Sequence, residues 1–218
     1  MARKKPYDDG CATAHALDLI GERWALLVVR ELMPGPLRFS DIKAALPGIS
    51  SNILTTRLGE LEAGHILRRE VLPPPISVPV YALTDWGREL KPLIMQLGAW
   101  AVRSPTLRQG KPMSVASILM SFETMFDPAA AGQSDMTVQL VLEGRPFVAR
   151  IANGTFTVQP GAAAQPDLCL TGDPTALASV IYSGVAPEQA EGVAVEGGTD
   201  SLARFAALFT LPEPWALE

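Results

Sequence analysis

The sequence predicts an α+β protein with two domains, and its length, apolar patterning and charge support this prediction. The chain has 218 residues, more than one typical domain, and 48% are hydrophobic, which is sufficient for two modest cores. Apolar residues recur at helical spacing in the first half, whereas strand-like alternation begins in the second. Residues 1–112 contain 15 Lys and Arg against 11 Asp and Glu, a net charge of +4, while residues 113–218 contain 3 against 12, a net charge of −9. Domains are therefore expected at residues 1–104 and 113–218, joined by a segment that contains two prolines and a glycine.

Four helices are predicted at the start of the chain. Apolar residues recur every three or four positions over residues 12–32, and a glycine divides this stretch into two helices. A short helix is expected over residues 41–46, with Ser40 as its N-cap. A proline–glycine turn then leads into a helix that is capped by Ser50 or Ser51 and ends near Glu62, so that the two short helices form a helix-turn-helix unit. The predicted inward face of the last helix contains Ile53, Leu54, Leu58 and Leu61.

A hairpin and a longer helix are expected to complete the first domain. Residues 66–72 and 78–83 are strand-like, and the prolines at 73–75 belong at the tip of the loop because they donate no ladder hydrogen bonds. Thr84 is the predicted N-cap of a helix over residues 85–102. The apolar stripe of this helix is too broad for a solitary helix to leave exposed, which predicts a dimer. The residues assigned to dimerisation are Leu93, Leu97 and Trp100.

The second domain is predicted to contain an antiparallel sheet flanked by helices. Asn153–Gly154 is a strong signal for a hairpin turn between two alternating segments. The predicted elements are, in order, a helix over 115–126, strands through 138–142, 147–151, 155–158 and 167–171, a helix from Asp173–Pro174 to Tyr182 with Gly184 as C-cap, a strand at 193–196, and a helix over 201–209 capped by Thr199 or Asp200.

The outward face of the helix after the proline–glycine turn carries candidate DNA contacts. A helix fits the major groove, and a basic hairpin beside it reaches phosphates. Arg68 and Arg69 on the hairpin are assigned to phosphate contact. Any amphipathic helix has a polar outer face, so an ordinary solvated surface is the alternative, but the order helix, turn, helix, hairpin favours double-stranded DNA as the partner. The helix residues suited to base edges or nearby phosphates are Ser51, Asn52, Thr55, Thr56 and Arg57.

Motifs between residues 11 and 102 occur in the order found in one known family. They are Cys11, Leu17 and Gly21-Glu22-Arg23-Trp24; Gly35 and Arg38-Phe39; Pro47-Gly48-Ile49-Ser50; Leu54, Arg57-Leu58 and Leu61-Glu62; and Tyr81-Ala82-Leu83-Thr84 with Gly87, Leu90 and Trp100. Through these motifs the region resembles the HxlR-type winged helix-turn-helix transcriptional regulators. Ala12 and Val80 depart from the family pattern, but neither lies in the predicted recognition helix.

The resemblance implies a homodimer, joined through the first and last helices of the domain, that binds a partly palindromic operator. It places Arg38 among the DNA contacts. It also implies that Cys11 is a redox candidate, because relatives sense electrophiles or oxidants through a cysteine at this position. A buried structural thiol is the alternative for Cys11.

Residues 113–211 resemble the sterol carrier protein type 2 fold more weakly. The similarity lies in residues 138–156, the strand Asp167-Leu168-Cys169-Leu170 and the segment Gly197-Gly198-Thr199-Asp200. That fold encloses an apolar tunnel in many relatives, which implies a pocket for a small apolar ligand. The candidate lining residues are Phe147, Phe156, Leu168, Leu170, Ile181, Phe205 and Phe209. The alternative is that these side chains fill a solid core.

Enzymatic and membrane functions are not supported by the sequence. The chain has only two histidines, His15 and His65, and it has no glycine-rich phosphate loop or motif that pairs a nucleophile with a base, so neither an enzyme nor a cofactor is expected. Cys11 and His15 are two ligands at most, and Cys11 and Cys169 fall in different halves, so no metal site or disulfide framework is predicted. Without a signal peptide or an apolar run long enough for a membrane span, a soluble cytoplasmic protein is expected.

Two functional hypotheses follow from the sequence. The first is a transcription factor whose DNA affinity responds to an apolar ligand in the C-terminal domain. The second is a lipid-binding or carrier module whose N-terminal half only dimerises. Dimerisation alone needs no exposed Asn52, Thr55 and Arg57 beside a basic hairpin, so the sequence favours the first hypothesis.

Overall fold

The computed structural model describes residues 6–73, 77–108 and 110–216. It divides into two compact units, Met1–Ile94 and Met95–Glu218. In the described ranges, no helix combines the length and the apolar character needed to cross a membrane. Helices and strands occur in both units, as the α+β prediction requires.

The first unit begins with four helices: α1 (Ala12–Ile20), α2 (Ala25–Leu32), α3 (Phe39–Ala45) and α4 (Ser51–Ala63). Gly21 ends α1, and the Ser50 hydroxyl caps α4 by accepting a hydrogen bond from the backbone N–H of Ile53 at 3.2 Å, both as predicted. The predicted cap Ser40 is wrong, because α3 starts at Phe39 and Arg38 occupies the N-cap position. Arg38 has an extended backbone and Phe39, which packs against the core, is the first helical residue, so Ser40 lies inside the helix.

The core of the first unit lies between α2, α3, α4 and the hairpin. Leu54, Leu58 and Leu61 of α4 are buried, as their spacing predicts, but Ile53 is 43% exposed. The prediction for Ile53 was wrong because the spacing of the three leucines defines the inner face, and the preceding residue points about 100° away from it. The other buried residues of this core are Ala25, Val28, Val29, Leu32, Ile42, Leu46, Ile49, Ile66, Leu67 and Leu83.

The hairpin consists of β1 (Leu67–Val71) and β2 (Pro79–Leu83), which pair antiparallel. Of the three prolines predicted at its tip, Pro74 and Pro75 lie outside the described residues. Leu37 forms an additional antiparallel bridge with Tyr81, so the segment before α3 is tied to the hairpin. The hairpin and the helix-turn-helix unit are therefore parts of one packed domain.

The helix predicted over residues 85–102 is two helices, α5 (Asp85–Arg88) and α6 (Leu90–Ala101). Thr84 caps α5 as predicted, since its hydroxyl accepts a hydrogen bond from the backbone N–H of Gly87 at 2.9 Å. The interruption at Glu89 follows from Pro92, which has no N–H to donate to the Arg88 carbonyl and whose ring clashes with that carbonyl in a continuous helix.

The second unit packs helices against one face of a five-stranded sheet. Its elements are α7 (Val115–Met125), α8 (Pro128–Ala131), β3 (Met136–Leu142), β4 (Arg145–Ala152), β5 (Thr155–Pro160), β6 (Leu168–Gly172), α9 (Pro174–Ser183), β7 (Ala194–Glu196) and α10 (Thr199–Ala206). The strand order is β5-β4-β3-β6-β7. Asn153 and Gly154 have φ angles of 51° and 68°, so they form the predicted hairpin turn between β4 and β5.

The sheet is mixed, because β3 and β6 run parallel while the other three pairings are antiparallel. The prediction of an antiparallel sheet was therefore wrong for the pair β3 and β6. These strands run parallel because residues 161–167 cross back from the end of β5 to the free edge of β3. Gln139 of β3, which is only 7% exposed, forms hydrogen bonds to the crossing segment and to β4. Its Oε1 accepts from the N–H of Ala163 at 2.7 Å, and its Nε2 donates to the Phe147 carbonyl at 3.0 Å.

The last helix starts and ends differently from the prediction. Its N-cap is Gly198 rather than Thr199 or Asp200, and the helix ends at Ala206 instead of residue 209. Gly197 passes so close to the Asp167 carbonyl that it leaves no space for a Cβ, and both Gly197 and Gly198 have positive φ angles. These two glycines turn the chain away from β6, and the helix can begin only after them.

Candidate nucleic-acid interface

The outer face of α4 exposes three of the predicted contact residues together. Ser51, Asn52 and Thr55 are exposed, and Thr56 is half-buried beside them. Thr55 Oγ1 donates to the Ser51 carbonyl at 2.8 Å, and Thr56 Oγ1 donates to the Asn52 carbonyl at 3.0 Å. With their protons used within the helix, these hydroxyls can only accept hydrogen bonds from a DNA donor. The amide of Asn52 both donates and accepts, which is the pattern that adenine presents in the major groove.

Lys43 of α3 reaches the start of α4, a contact that the sequence did not predict. Its Nζ donates to the Ser51 hydroxyl at 2.7 Å. A cation is thereby placed beside the backbone N–H groups of the first turn of α4, which themselves attract phosphate. Lys43 and Ser51 are eight residues apart, and the turn between α3 and α4 brings their side chains together.

Arg57 does not lie on the exposed face of α4. Its side chain is only 13% exposed, and Nη1 lies 2.6 Å from Glu60 Oε2 and 3.5 Å from Glu22 Oε2. Nη2 donates to Glu60 Oε1 at 3.3 Å. The guanidinium is directed toward the connection between α1 and α2, and the prediction that Arg57 points outward was therefore wrong.

The hairpin carries two exposed cations, and one of them reaches the C-terminal end of α4. The side chains of Arg68 and Arg69 are 52% and 56% exposed. Arg68 Nε lies 3.2 Å from Glu70, and Arg69 Nε lies 3.3 Å from Glu62 while its guanidinium stacks on the ring of Tyr81. Exposed ion pairs of this kind contribute about 0–1 kcal/mol, so a phosphate can replace the carboxylates.

Arg38 and Cys11 are also exposed. Arg38 follows Leu37, whose bridge to Tyr81 ties the start of α3 to the hairpin. Cys11 precedes the first residue of α1 and is exposed rather than buried. Hydrogen bonding to the backbone of Thr13, and less strongly to its hydroxyl and to the backbone of Ala14, lowers the pKa of the Cys11 thiol.

The predicted dimer face is open to solvent in the single chain. Leu93, Leu97 and Trp100 are 52%, 50% and 77% exposed, and no residue of α6 is buried. Leu90 and Ile94 are partly buried against the core of the first unit, so the remaining apolar face of α6 has no contact with that core. An apolar helix face of this kind is typical of a protein interface.

The candidate pocket residues lie together in the core of the second unit. Phe156 is half-buried, and the other six are buried. Phe122 of α7, which the sequence did not single out, is fully buried among them. The ring centroid of Phe209 lies 5.0 Å from that of Phe122, 4.9 Å from that of Phe205 and 5.5 Å from that of Phe156. These distances show that the aromatic rings are in direct contact, so a ligand would have to displace some of these contacts.

A partly buried tyrosine, Tyr182, borders these aromatic rings. Burial raises the pKa of Tyr182 well above its ordinary range, although the hydroxyl is hydrogen-bonded to Ser121 at 2.8 Å. Tyr182 is therefore neutral at any physiological pH and joins α9 to α7 as a structural contact.

A helix-turn-helix unit with a hairpin beside its second helix defines a winged helix-turn-helix protein. Residues 19–107 match the family model described as HxlR-like helix-turn-helix, and residues 107–215 match the one described as alkyl sulfatase C-terminal. The transcriptional regulator YvaP of Bacillus subtilis, described as uncharacterized, is 41% identical over 87 residues, which cover 39% of this chain and 80% of YvaP. The regulator YodB of the same organism is 42% identical over 87 residues, which cover 39% of this chain and 77% of YodB.

Two solved structures correspond to a similar part of the chain. The reduced form of YodB from B. subtilis is 36% identical and covers 45% of this chain and 97% of that chain, with a TM-score of 0.40. The oxidized form of the redox regulator HypR is 32% identical and covers 44% of this chain and 100% of that chain, with a TM-score of 0.41.

The chain belongs to the HxlR-like helix-turn-helix family of transcriptional regulators. This assignment confirms the resemblance that the motifs of residues 11–102 carry. The C-terminal half contains an alkyl sulfatase C-terminal domain, and this match supports the sterol carrier resemblance only loosely because the matching family has a different description.

Proposed function

We propose that the protein is a DNA-binding transcriptional regulator that binds a partly palindromic operator as a homodimer. The observation that carries this proposal is the exposed polar face of α4, formed by Ser51, Asn52 and Thr55, in a domain whose hairpin exposes the cations Arg68 and Arg69. The helix presents groups for base edges, and the hairpin supplies charge for phosphates. A module that only dimerises has no use for this combination.

The homodimer is proposed from the open apolar face of α6. Leu93, Leu97 and Trp100 leave water only if a partner covers them, and a second copy of the chain is the partner that a palindromic operator requires. The DNA-binding domain is proposed to comprise residues 1–104, and the regulatory domain residues 113–218. The two family matches meet at residue 107, within the segment between these ranges.

The C-terminal domain is proposed to regulate DNA binding rather than to catalyse a reaction. Its net charge of −9 is unsuited to contact with phosphates, and it is joined to a domain whose relatives are transcriptional regulators. A small apolar ligand would enter this domain by replacing ring contacts such as the one between Phe156 and Phe209. The second candidate, a lipid carrier with a dimerising N-terminal half, is favoured only by the aromatic character of this core.

A redox response through Cys11 is part of the proposal. Solved structures of YodB include a quinone-bound and a diamide-treated form, and HypR is described as a redox regulator. In this chain Cys11 is exposed and its lowered pKa increases the fraction of thiolate, the form that reacts with electrophiles and oxidants.

The proposed function is tested by selecting bound genomic fragments with the purified protein and measuring operator affinity against salt concentration. Affinity should fall steeply with salt, and Arg68→Ala should reduce the slope by about one unit. Arg150→Ala is the matched control, because the Arg150 side chain is 59% exposed and also pairs with a carboxylate but belongs to the acidic half. No selected fragments, or an affinity that does not depend on salt, would exclude DNA binding by this surface.

A further inference from the structure

The connection between α1 and α2, residues 21–24, has an unusual backbone conformation. Trp24 has a φ angle of 79°, in the left-handed region that bulky residues rarely adopt. Such a conformation persists only where the surrounding structure holds it. The connection has two neighbours in the domain that are relevant to α4.

The first contact is with the turn between α3 and α4. The Trp24 side chain is partly buried against the core of the first unit, and its Cη2 lies 3.9 Å from the position that a Cβ on Gly48 would occupy. Gly48 has a φ angle of 90°, so this turn depends on glycine as well. The indole thus lies beside the backbone that leads directly into α4.

The second contact reaches the middle of α4. Glu22 of the connection lies 3.5 Å from Nη1 of Arg57, and the Arg57 side chain is only 13% exposed. Among the described residues, Nε and Nη1 of Arg57 are buried and make no hydrogen bond of good geometry. The guanidinium therefore depends on the charges of Glu22 and Glu60, and a buried cation that loses a carboxylate is strongly destabilised.

The two carboxylates differ in what they join. Glu60 is on α4 itself, three residues after Arg57, so this pair only connects neighbouring turns of one helix. Glu22 precedes α2 in the sequence, so its pair with Arg57 joins α4 to a separate part of the domain. Of the two carboxylates that pair with Arg57, only Glu22 links α4 to another part of the domain and can help to fix its orientation.

We propose that Arg57 is a positioning residue, which holds the exposed face of α4 in register through Glu22 and does not contact DNA. The inference rests on the proposed DNA-binding function. A small rotation of α4 moves Ser51, Asn52 and Thr55 away from their base edges, whereas phosphate contacts by the hairpin arginines tolerate it. Loss of the pair should therefore reduce binding to the operator much more than binding to random DNA.

The test is a double-mutant cycle with Glu22→Gln, Arg57→Gln and the combined variant. Each single variant should weaken operator binding by roughly tenfold, and the combined variant should be little worse than Arg57→Gln, because both changes remove the same interaction. The slope of affinity against salt should remain that of the unaltered protein, since no phosphate contact is lost. Glu60→Gln is the matched control and should weaken operator binding less than Glu22→Gln does.

A charge exchange and a DNA-independent measurement complete the experiment. Glu22→Arg combined with Arg57→Glu should recover part of the operator affinity that either change alone removes. Hydrogen exchange of the α4 amides should be faster in Glu22→Gln than in Glu60→Gln, in the absence of DNA. If the unaltered protein binds no DNA, the proposed function fails. Hydrogen exchange then still tests whether the pair of Glu22 and Arg57 stabilises α4.

Three results would overturn the inference. Arg57→Gln could reduce the salt slope by about one unit, which would assign Arg57 to a phosphate. It could relax selectivity at a single base pair of the operator, which would assign it to a base edge. The effects of Glu22→Gln and Arg57→Gln could also be independent of each other, which would show that the two residues are not coupled.

Discussion

Gly87 has no room for a side chain, because a Cβ at this position would overlap the carbonyl oxygen of Ile66. The neighbouring atom belongs to the backbone, so it cannot move aside as the end of a flexible side chain would. We expect Gly87→Ala to reduce the free energy of unfolding by about 1–3 kcal/mol, the usual effect of overpacking. Gly59→Ala is the control: nothing lies within 4 Å of its Cβ position in α4, and alanine there should stabilise the helix by about 0.5–1 kcal/mol. Urea unfolding followed by circular dichroism measures both, and equal effects would contradict the proposed close approach.

Cys11 should react with iodoacetamide at a lower pH than an ordinary thiol. Its pKa is lowered by hydrogen bonding, so the thiolate, and with it the alkylation rate, should appear at a lower pH. Thr13→Ala removes the hydroxyl contribution and should move the pH profile upward, toward the ordinary value. Rates measured by mass spectrometry in a Cys169→Ser background isolate the Cys11 thiol. A profile that Thr13→Ala leaves in place would show that this hydroxyl does not stabilise the thiolate.

Two of the predicted helix caps, Ser50 and Thr84, were predictable from the sequence, whereas Ser40 and the cap of the last helix were not, and contacts between distant residues were not. The caps at Ser50 and Thr84 depend on backbone groups within three residues, so their sequence context was sufficient. The inward turn of Arg57 depends on Glu22, which is distant in the sequence and approaches only in the folded domain. The contact between Lys43 and Ser51 was missed because it depends on the geometry of the turn between α3 and α4.

Apolar periodicity predicted the helices and most strands because it reports which face of an element is buried. It did not predict how the strands pair. The parallel pairing of β3 with β6 depends on the route of residues 161–167 and on the buried amide of Gln139, neither of which alters the alternation of the strands. The break before α6 was visible in the sequence as Pro92, but the strong apolar stripe on both sides concealed it.

The α6 face predicts the oligomeric state. Trp100 is 77% exposed in the single chain, so burial against a second copy would remove a large aromatic surface from water. We expect Trp100→Ala to raise the dimer dissociation constant by roughly 30-fold or more, as for a central interface residue, and to weaken operator binding with it. Sedimentation velocity over a range of concentrations measures the first effect.

Trp86→Ala provides the control for this substitution. Trp86 is also exposed, at 52%, but it lies on α5 rather than on the α6 face. It should leave the dissociation constant nearly unchanged. An unaltered protein that sediments as a monomer at micromolar concentration would exclude the α6 dimer.

The whole molecule combines a basic half and an acidic half, and this division was visible in the sequence as net charges of +4 and −9. Charge and composition could indicate that the C-terminal half does not bind phosphates. They could not distinguish a ligand pocket from a filled core, because both need the same apolar residues. The contacts among Phe122, Phe205 and Phe209 depend on how the rings interlock, which only the folded arrangement shows.

Regulation by an apolar ligand predicts a measurable coupling between the C-terminal core and the operator. A ligand shifts the DNA affinity only if it binds one arrangement of the dimer better than another, and a typical coupling of about 1–3 kcal/mol corresponds to roughly a 5- to 150-fold change. We would titrate a dansyl-labelled fatty acid into the unaltered protein and into Phe156→Ala, which opens space at the half-buried edge of the core, and measure probe fluorescence and operator affinity. Binding by the unaltered protein with a change in operator affinity is the expected result. Binding only by Phe156→Ala would show that aromatic side chains already fill the core, and the domain would then act through contact with a partner protein rather than through a ligand.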